Sequence, residues 1–102
     1  MHIWEGTARP KNNDIMRTLE WWRSLLNLSG GGENFTNGIA LSRLDGENSV
    51  IIIRHTFEDL AEEQRVFAAW EESASHEEHA RSFSDYFEGP VTVHRYNVLH
   101  SY

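Results

Sequence analysis

The alternation of apolar and polar residues predicts a strand followed by a helix at the start of the chain. His2 to Arg9 alternates weakly between two faces and ends at Pro10, which cannot continue a strand ladder. Asn12 to Asp14 then offers N-caps for a helix that ends at Leu28. The apolar residues of this helix fall at spacings of three and four on one stripe: Ile15, Leu19, Trp22 and Leu26, widened by Met16 and Leu25.

Three strand-like runs are predicted in the middle of the chain. They are Phe35 to Leu44, Ser49 to Phe57 and Gln64 to Glu71. Asp45-Gly46, between the first two, is typical of a hairpin turn. The glycines at 30–32 come before these runs and predict a mobile connection.

A second helix and a last strand are predicted at the end of the chain. Ser75 and Glu78 have the spacing of a capping box, so the helix is expected to begin there and to run to about Glu88. Gly89-Pro90 is predicted to stop it, and Val91 to His100 alternates as a strand.

This order of elements predicts an α+β fold of the ferredoxin-like kind, an antiparallel sheet with both helices on one face. Val50 to Ile53 is apolar on both faces of its strand, although two short helices cover only one face of the sheet. We therefore expect a homodimer, in which a partner's sheet covers the other face. The alternative is a slightly apolar exposed face, which small proteins tolerate.

The length, net charge and composition of the chain disfavour several classes of protein. The 102 residues suit one domain, 1–102, and the net charge of -7 disfavours binding to nucleic acid or to an anionic membrane. No cysteine is present, which excludes disulfides, thiolate metal sites and a cysteine nucleophile. With no long apolar run and no signal-peptide pattern at the N-terminus, a soluble, cytoplasmic protein is expected.

The segment 65–79, with the sequence RVFAAWEESASHEEH, resembles the antibiotic-biosynthesis-monooxygenase-like (ABM-like) family of dimeric α+β barrels. In that family a strand ends in Trp-Glu-Ser or a near variant, and a histidine follows about nine positions after the tryptophan. Trp70 and His79 have this spacing here. The likeness covers Arg65 to about His100. It implies a pocket between sheet and helices, and activities that include cofactor-free oxidation of quinols or polycyclic phenols.

The chain departs from the family pattern in two ways. The run Phe35 to Glu71 holds one strand more than members normally have between their helices, and the second helix is about one turn short. The haem-degrading branch of the family uses an asparagine on the first strand and a tryptophan on the second helix. Neither is present in His2 to Arg9 or in the predicted second helix, which argues against haem degradation.

His79 is the first candidate for catalysis. It shares a helical stripe with Phe83 and Tyr86, so it is expected to face the sheet, where a pKa near neutrality would let it take and return a phenolic proton. Trp70 is expected to form a wall beside it. The alternative is a capping or core-edge histidine without chemistry.

Other residues are candidates for binding. Trp22, Phe83, Tyr86 and Phe87 are expected to line a cavity for a flat aromatic ligand, unless they are plain core. Arg54 lies in the most apolar strand and is expected to meet a carboxylate or a bound anion, unless it lies there simply because it is near the end of the strand.

A metal site is a less favoured interpretation of the histidines than exposed surface residues. His76 and His79 lie one helical turn apart, but surface histidines on an acidic helix explain them more simply.

The sequence thus favours a small monooxygenase-like enzyme that needs no cofactor and acts on an aromatic or quinol-type molecule. The alternatives are a ligand-binding or structural homodimer without chemistry, and a haem-binding or metal-binding member.

Overall fold

The computed structural model of the chain describes residues 1–102. The strands are β1 (His2–Pro10), β2 (Gly38–Asp45), β3 (Asn48–Phe57) and β4 (Phe87–Asn97), and the helices are α1 (Ile15–Asn27), α2 (Leu60–Glu71) and α3 (Ala74–Tyr86), with a 3-10 turn Lys11–Asn13 after β1. No helix is long and apolar enough to cross a membrane.

The four strands form one antiparallel sheet in the order β2-β3-β1-β4. Trp4 lies opposite His55, and Gly6 lies opposite Ile53, so these residues share the face that the helices cover. β2 pairs with β3 of the same chain through a two-residue turn, Gly46-Glu47, which lies one residue later than the predicted Asp45-Gly46. The ferredoxin-like α+β fold is confirmed, with three helices where two were predicted.

The core lies where α1 and α3 meet the sheet. Trp21, Leu25, Ile51 and Phe87 form its buried apolar cluster. α1 begins as predicted, because the Asp14 side chain accepts a hydrogen bond from the Arg17 amide. Its fully buried positions are Thr18, Trp21 and Leu25, whereas the predicted stripe of Ile15, Leu19, Trp22 and Leu26 is only half-buried.

The predicted strand Gln64 to Glu71 is wrong, because these residues belong to helix α2. The Asp59 side chain accepts a hydrogen bond from the Glu62 amide at 2.8 Å and begins the helix. The inward side chains Glu63, Phe67 and Trp70 follow the helical spacing of four and three. The run has apolar residues at both sets of alternate positions because it includes the alanines at 68 and 69, which are exposed on the helix.

A buried ion cluster fixes α2 to the sheet. Glu63, which is 2% exposed, accepts hydrogen bonds from His2 at 2.8 Å and from Arg95 at 2.9 Å. Burial acts to raise the pKa of Glu63, but the hydrogen bonds from Arg95 and His2 outweigh it, and the net pKa is lowered. Glu63 is therefore held as a carboxylate between β1 and β4.

The bounds of α3 also differ from the prediction. Ser73, not Ser75, is the N-cap, because its hydroxyl accepts a hydrogen bond from the His76 amide. Ser75 is buried inside the first turn of the helix. Gly89 and Pro90 do not stop the helix but lie within β4, an edge strand, where a residue without an N–H is tolerated.

The glycine run after α1 is packed, so the predicted mobile connection is wrong. Gly30 and Gly31 are buried, and the Gly32 amide donates to the Leu26 carbonyl at 2.8 Å. A Cβ on Gly31 would lie 2.2 Å from the Leu25 carbonyl oxygen, so this close approach requires glycine. The run closes the end of α1 against Ser73.

Candidate functional site

A mostly apolar cavity of about 230 Å³ lies between the helix-covered face of the sheet and the three helices. An engineered apolar cavity of about 150 Å³ holds benzene, so this volume is enough for a larger, fused aromatic molecule. Its polar side chains are Thr18, His55, Ser75 and His79, besides the indole N–H groups, and it contains no lysine, arginine or carboxylate. The cavity therefore suits an uncharged aromatic ligand.

His79 lies in the cavity wall as predicted, in a ring of aromatic side chains. Its imidazole centroid is 5.4 Å from that of Trp21, 5.1 Å from Trp70 and 5.3 Å from Phe83. Burial, and to a lesser extent the charge of His76, lowers the pKa of His79 to about 4. The expected pKa near neutrality is thus wrong, and His79 is a neutral imidazole at pH 7.

Trp70 lies beside His79 in the wall of the cavity. Its indole N–H donates to the Ser75 hydroxyl at 3.0 Å, which fixes the orientation of the ring. One ring edge lies against His79, and Phe35 packs edge-to-face at 5.6 Å. Trp70 therefore forms a fixed wall next to the imidazole, and Ser75, predicted as a helix cap, orients it.

Of the aromatic residues predicted to line the cavity, all but Tyr86 do so. Trp22, Phe83 and Phe87 line the cavity together with His79, and Phe83 and Phe87 stack on each other at 4.7 Å. Tyr86 does not line it. Its ring stacks on Trp21 at 5.2 Å, and the Arg17 guanidinium lies over it at 4.3 Å.

Arg54 lies on the opposite face of the sheet, away from the cavity. Its Nε donates to Glu5 at 2.9 Å, and the Tyr96 hydroxyl donates to the same carboxylate at 2.9 Å. Burial acts to raise the pKa of Glu5, but these hydrogen bonds outweigh it and the net pKa is lowered. The carboxylate expected to pair with Arg54 is thus Glu5, and the structure brings no part of Arg54 to the cavity.

Sequence reasoning missed the sheet side of the cavity. Trp4, Phe35, His55 and Phe67 pack together there, with His55 at 4.5 Å from Phe35 and Trp4 at 5.0 Å from Phe67. These residues come from β1, β3, α2 and the loop before β2. No local pattern could have found them, because the register of β1 against β3 alone places Trp4 beside His55.

No metal centre is formed by the histidines. No group of three or more histidine and carboxylate side chains converges as a metal would require. His76 packs against the edge of Trp70 at 4.7 Å, outside the cavity that His79 lines.

Solved structures with the same architecture exist at low sequence identity. A protein of unknown function from Nitrosomonas europaea aligns with a TM-score of 0.67 and 15% identity over 99% of this chain and 91% of its own. A protein from Agrobacterium tumefaciens aligns with a TM-score of 0.75 and 14% identity, over 95% of this chain and 92% of its own.

A candidate antibiotic biosynthesis monooxygenase from Nitrosomonas europaea aligns with a TM-score of 0.60 and 13% identity, over 98% of this chain and 100% of its own. The chain has the ABM-like fold. No family model and no curated protein matches the sequence. At these identities the ABM-like neighbours show the fold alone.

The ABM-like fold confirms what the segment 65–79 implied about architecture. It also removes one of the two departures, since residues 64–71 are helical and no extra strand lies between α1 and α3. The sequence spacing of Trp70 and His79 matches the family pattern, but Trp70 lies near the end of helix α2, so the implied strand ending at this tryptophan is wrong.

Proposed function

We propose that the protein is a small monooxygenase-like enzyme that needs no cofactor and oxidises an uncharged aromatic or quinol-type molecule in the cavity between sheet and helices. The observation that carries this proposal is a neutral imidazole, His79, in the wall of an apolar cavity large enough for fused aromatic rings. We assign His79 as the acid–base group, Trp70 as the fixed wall beside it, and Trp22, Phe83 and Phe87 as binding surfaces.

The proposed chemistry begins with transfer of a phenolic proton to His79. The negative charge formed on the substrate stabilises the imidazolium beside it, so the low pKa of His79 rises during the step. The electron-rich anion then reacts with oxygen. A bond forms between the reacting C–H carbon of the anion and one oxygen atom, and His79 returns its proton to the outer oxygen to give a hydroperoxide. Loss of the remaining C–H proton then breaks the O–O bond, which leaves a carbonyl on the carbon and releases the outer oxygen as water with these two protons. The reacting carbon, a CH2 group in the keto tautomer of the substrate, supplies all four electrons.

The apolar wall of the cavity is expected to make the substrate anion more reactive toward oxygen. An anion formed among Trp21, Trp70 and Phe83 is poorly solvated, which favours loss of an electron to oxygen. The same rings exclude water from the reactive anion.

The test is oxygen consumption with a panel of hydroquinones, naphthols and anthrones, followed by the variant His79→Phe. Phenylalanine keeps a ring of similar shape but cannot carry a proton, so kcat is expected to fall by about 10²- to 10⁴-fold. His100→Phe is the matched control, because His100 is exposed and lies outside the cavity. Its kcat is expected to equal that of the wild type.

Equal turnover by His79→Phe and wild type would remove His79 as the acid–base group. Tight binding of an aromatic molecule without any oxygen consumption across the panel would instead support the non-catalytic ligand-binding protein.

We also propose that the protein is a homodimer joined through the face of the sheet that carries no helix. Ile39, which is 53% exposed, and the half-buried Leu41 and Ile3 lie on this face around the Glu5 cluster. Val50 and Ile52 on the same face are already buried within one chain. The support is therefore the uncovered face and its exposed apolar residues, rather than the central strand itself.

The homodimer is tested by native mass spectrometry of wild type and the variant Ile39→Lys. Wild type is expected at twice the 11.8 kDa chain mass. A lysine at a buried contact places an unpaired charge there, so the dissociation constant is expected to rise about 100-fold or more. Leu44→Lys is the control, because Leu44 is 74% exposed on the same strand but opposite Ser49, on the other face. A wild-type monomer, or loss of the dimer in both variants, would contradict this interface.

The cytoplasm remains the proposed location, and residues 1–102 remain the proposed functional unit, both on the basis of the sequence.

A further inference from the structure

The cavity opens to solvent at the edge strand β4. Of the residues that line the cavity, Val93 alone is exposed, at 41%, and the others are buried or half-buried. Val93 lies opposite Gly6 of β1, on the face of the sheet that the helices cover. The cover of the cavity is therefore incomplete above Val93, and we call this opening the mouth.

Arg95 lies beside the mouth. It follows Val93 by two residues, so both side chains project from the same face of β4. Its partner on β1 is Trp4, which also lines the cavity. The Arg95 side chain is 52% exposed, whereas the cavity wall itself contains no lysine, arginine or carboxylate. Arg95 thus places a positive charge at the entrance of an apolar site.

A buried carboxylate holds the Arg95 guanidinium from behind. Glu63, whose side chain is 3% exposed, accepts a hydrogen bond from Nε of Arg95 at 2.9 Å and another from His2 at 2.8 Å. Both hydrogen bonds of Arg95 to Glu63 come from Nε, so its two Nη groups are left for another acceptor. Because the negative partner is buried and the guanidinium is half-exposed, the cluster presents its positive end to solvent.

Such a guanidinium suits a carboxylate. Its planar donors match the two oxygens of a carboxylate better than they match a single acceptor. The bonds to Glu63 already restrict the arginine side chain, so less conformational entropy is lost when an anion binds. The chain as a whole carries a net charge of -7, so an anionic ligand gains affinity only where it contacts a cation directly.

We propose that Arg95 is an anion-binding residue at the mouth of the cavity, and that the ligand is an amphipathic acid with an uncharged apolar body inside the cavity and a carboxylate at Arg95. This inference rests on the proposed function, since it concerns the same cavity. It adds to the substrate class a charged substituent that stays outside the apolar wall and fixes which end of the molecule enters first.

The competing role for Arg95 is purely structural, because its bonds to Glu63 join β4 to α2. A structural role affects every ligand of the cavity equally. A binding role affects only ligands that carry the anion. The ratio of the dissociation constants of an acid and its primary amide therefore separates the two roles, since both molecules have the same apolar body.

The test is calorimetric titration of wild type with three acids and their primary amides: 2-naphthoate, 2-naphthylacetate and 4-(2-naphthyl)butanoate. The series varies the reach from the cavity to the guanidinium. An ion pair with a half-exposed arginine is expected to make at least one acid bind about fivefold more tightly than its amide. Raising the sodium chloride concentration from 0.05 to 0.5 M is expected to reduce this preference, because salt screens exposed charges.

The variants assign the preference to one arginine. In Arg95→Gln the ratio is expected to fall to about one or below, while the amide binds as it does to wild type. Arg95→Lys keeps the charge but not the planar donors and is expected to keep a preference of about twofold. Arg23→Gln removes the same charge from an exposed position of α1 and is expected to keep the fivefold preference.

A second variant covers the loss of the buried pair. Arg95→Gln leaves the Glu63 carboxylate with His2 as its remaining partner. The double variant Glu63→Gln/Arg95→Gln removes both charges together, and it is also expected to bind acid and amide alike. Unchanged far-UV circular dichroism shows that each variant is folded.

The possible failures are distinguishable. If wild type binds the amides but no acid more tightly, or if Arg95→Gln keeps the preference, the role of Arg95 is overturned while the proposed function stands. Equal loss of the preference in Arg23→Gln would show a general effect of net charge and would also overturn it. If wild type binds neither the acids nor the amides, the cavity does not take aromatic molecules, and the proposed function falls as well.

Discussion

Replacement of Trp21 by alanine is expected to lower the free energy of unfolding by about 3–5 kcal/mol. The indole is 7% exposed, and its N–H donates to the Ser82 hydroxyl at 2.7 Å. It packs against Tyr86 at 5.2 Å and Phe87 at 5.5 Å, and so joins α1, α3 and β4. Alanine would leave a cavity at this junction and remove the hydrogen bond to Ser82, whose hydroxyl would keep only its bond to the Glu78 carbonyl.

The measurement is urea denaturation followed by circular dichroism, with Trp22→Ala as the matched control. Trp22 is next in sequence and half-buried in the cavity wall, where the surrounding space is already open. Its loss is expected to cost less than half as much. Equal losses in the two variants would show that Trp21 is not the residue on which the packing of α1 depends.

Stability is expected to fall steeply as the pH is lowered from about 6.5 to about 4. Burial lowers the pKa of His55 to about 4, and burial together with His76 does the same for His79, whereas the value in the unfolded chain is near 6.5. Between these values the unfolded state binds more protons than the folded state, so protonation favours unfolding. Each histidine is expected to remove up to about 3 kcal/mol over this interval, and the effect ends below pH 4, where both states are protonated.

The measurement is the urea midpoint at half-unit steps from pH 7.5 to pH 5, above the range in which most carboxylates titrate. His55→Phe and His79→Phe are each expected to halve the dependence on pH, and the double variant is expected to remove most of it. His100→Phe, which changes an exposed histidine, serves as the control. A dependence that is unchanged in the double variant would show that the two imidazoles are not held neutral by burial.

Local patterns were enough to predict most of the fold. β1, α1 and the hairpin of β2 and β3 lie close to the predicted positions. Each was predicted from a signal that a few neighbouring residues form: the alternation in β1, the Asp14 cap of α1, and Asp45-Gly46 in the hairpin. Helix α2 was missed because its apolar residues are contiguous, and an apolar run fits a central strand as well as a helix. The Asp59 N-cap distinguishes a helix from a strand here, but Asp59 lies outside the apolar run, so the run alone does not show it.

The helical side of the candidate site could be predicted, and the sheet side could not. His79, Phe83 and Trp70 lie within fourteen residues of sequence, so helical spacing and the family resemblance both point to them. His55 and Trp4 are brought together only by the register of two strands that are fifty residues apart. The partner of Arg54 could not be predicted for the same reason. Alternation with His55 places Arg54 on the opposite face of the sheet, but it does not reveal that Glu5 of another strand lies beside it.

The position of Gly89 and Pro90 bears on how copies of this chain can associate. β4 is one of the two edges of the sheet, and there Gly89 has a φ of +74° while Pro90 offers no N–H. Another molecule that tried to lengthen the sheet by adding a strand at this edge would meet a twisted backbone and a missing donor. Strand addition, which leads to open-ended fibres, is thereby discouraged at β4, and the face of the sheet that carries no helix is left as a surface for closed assembly.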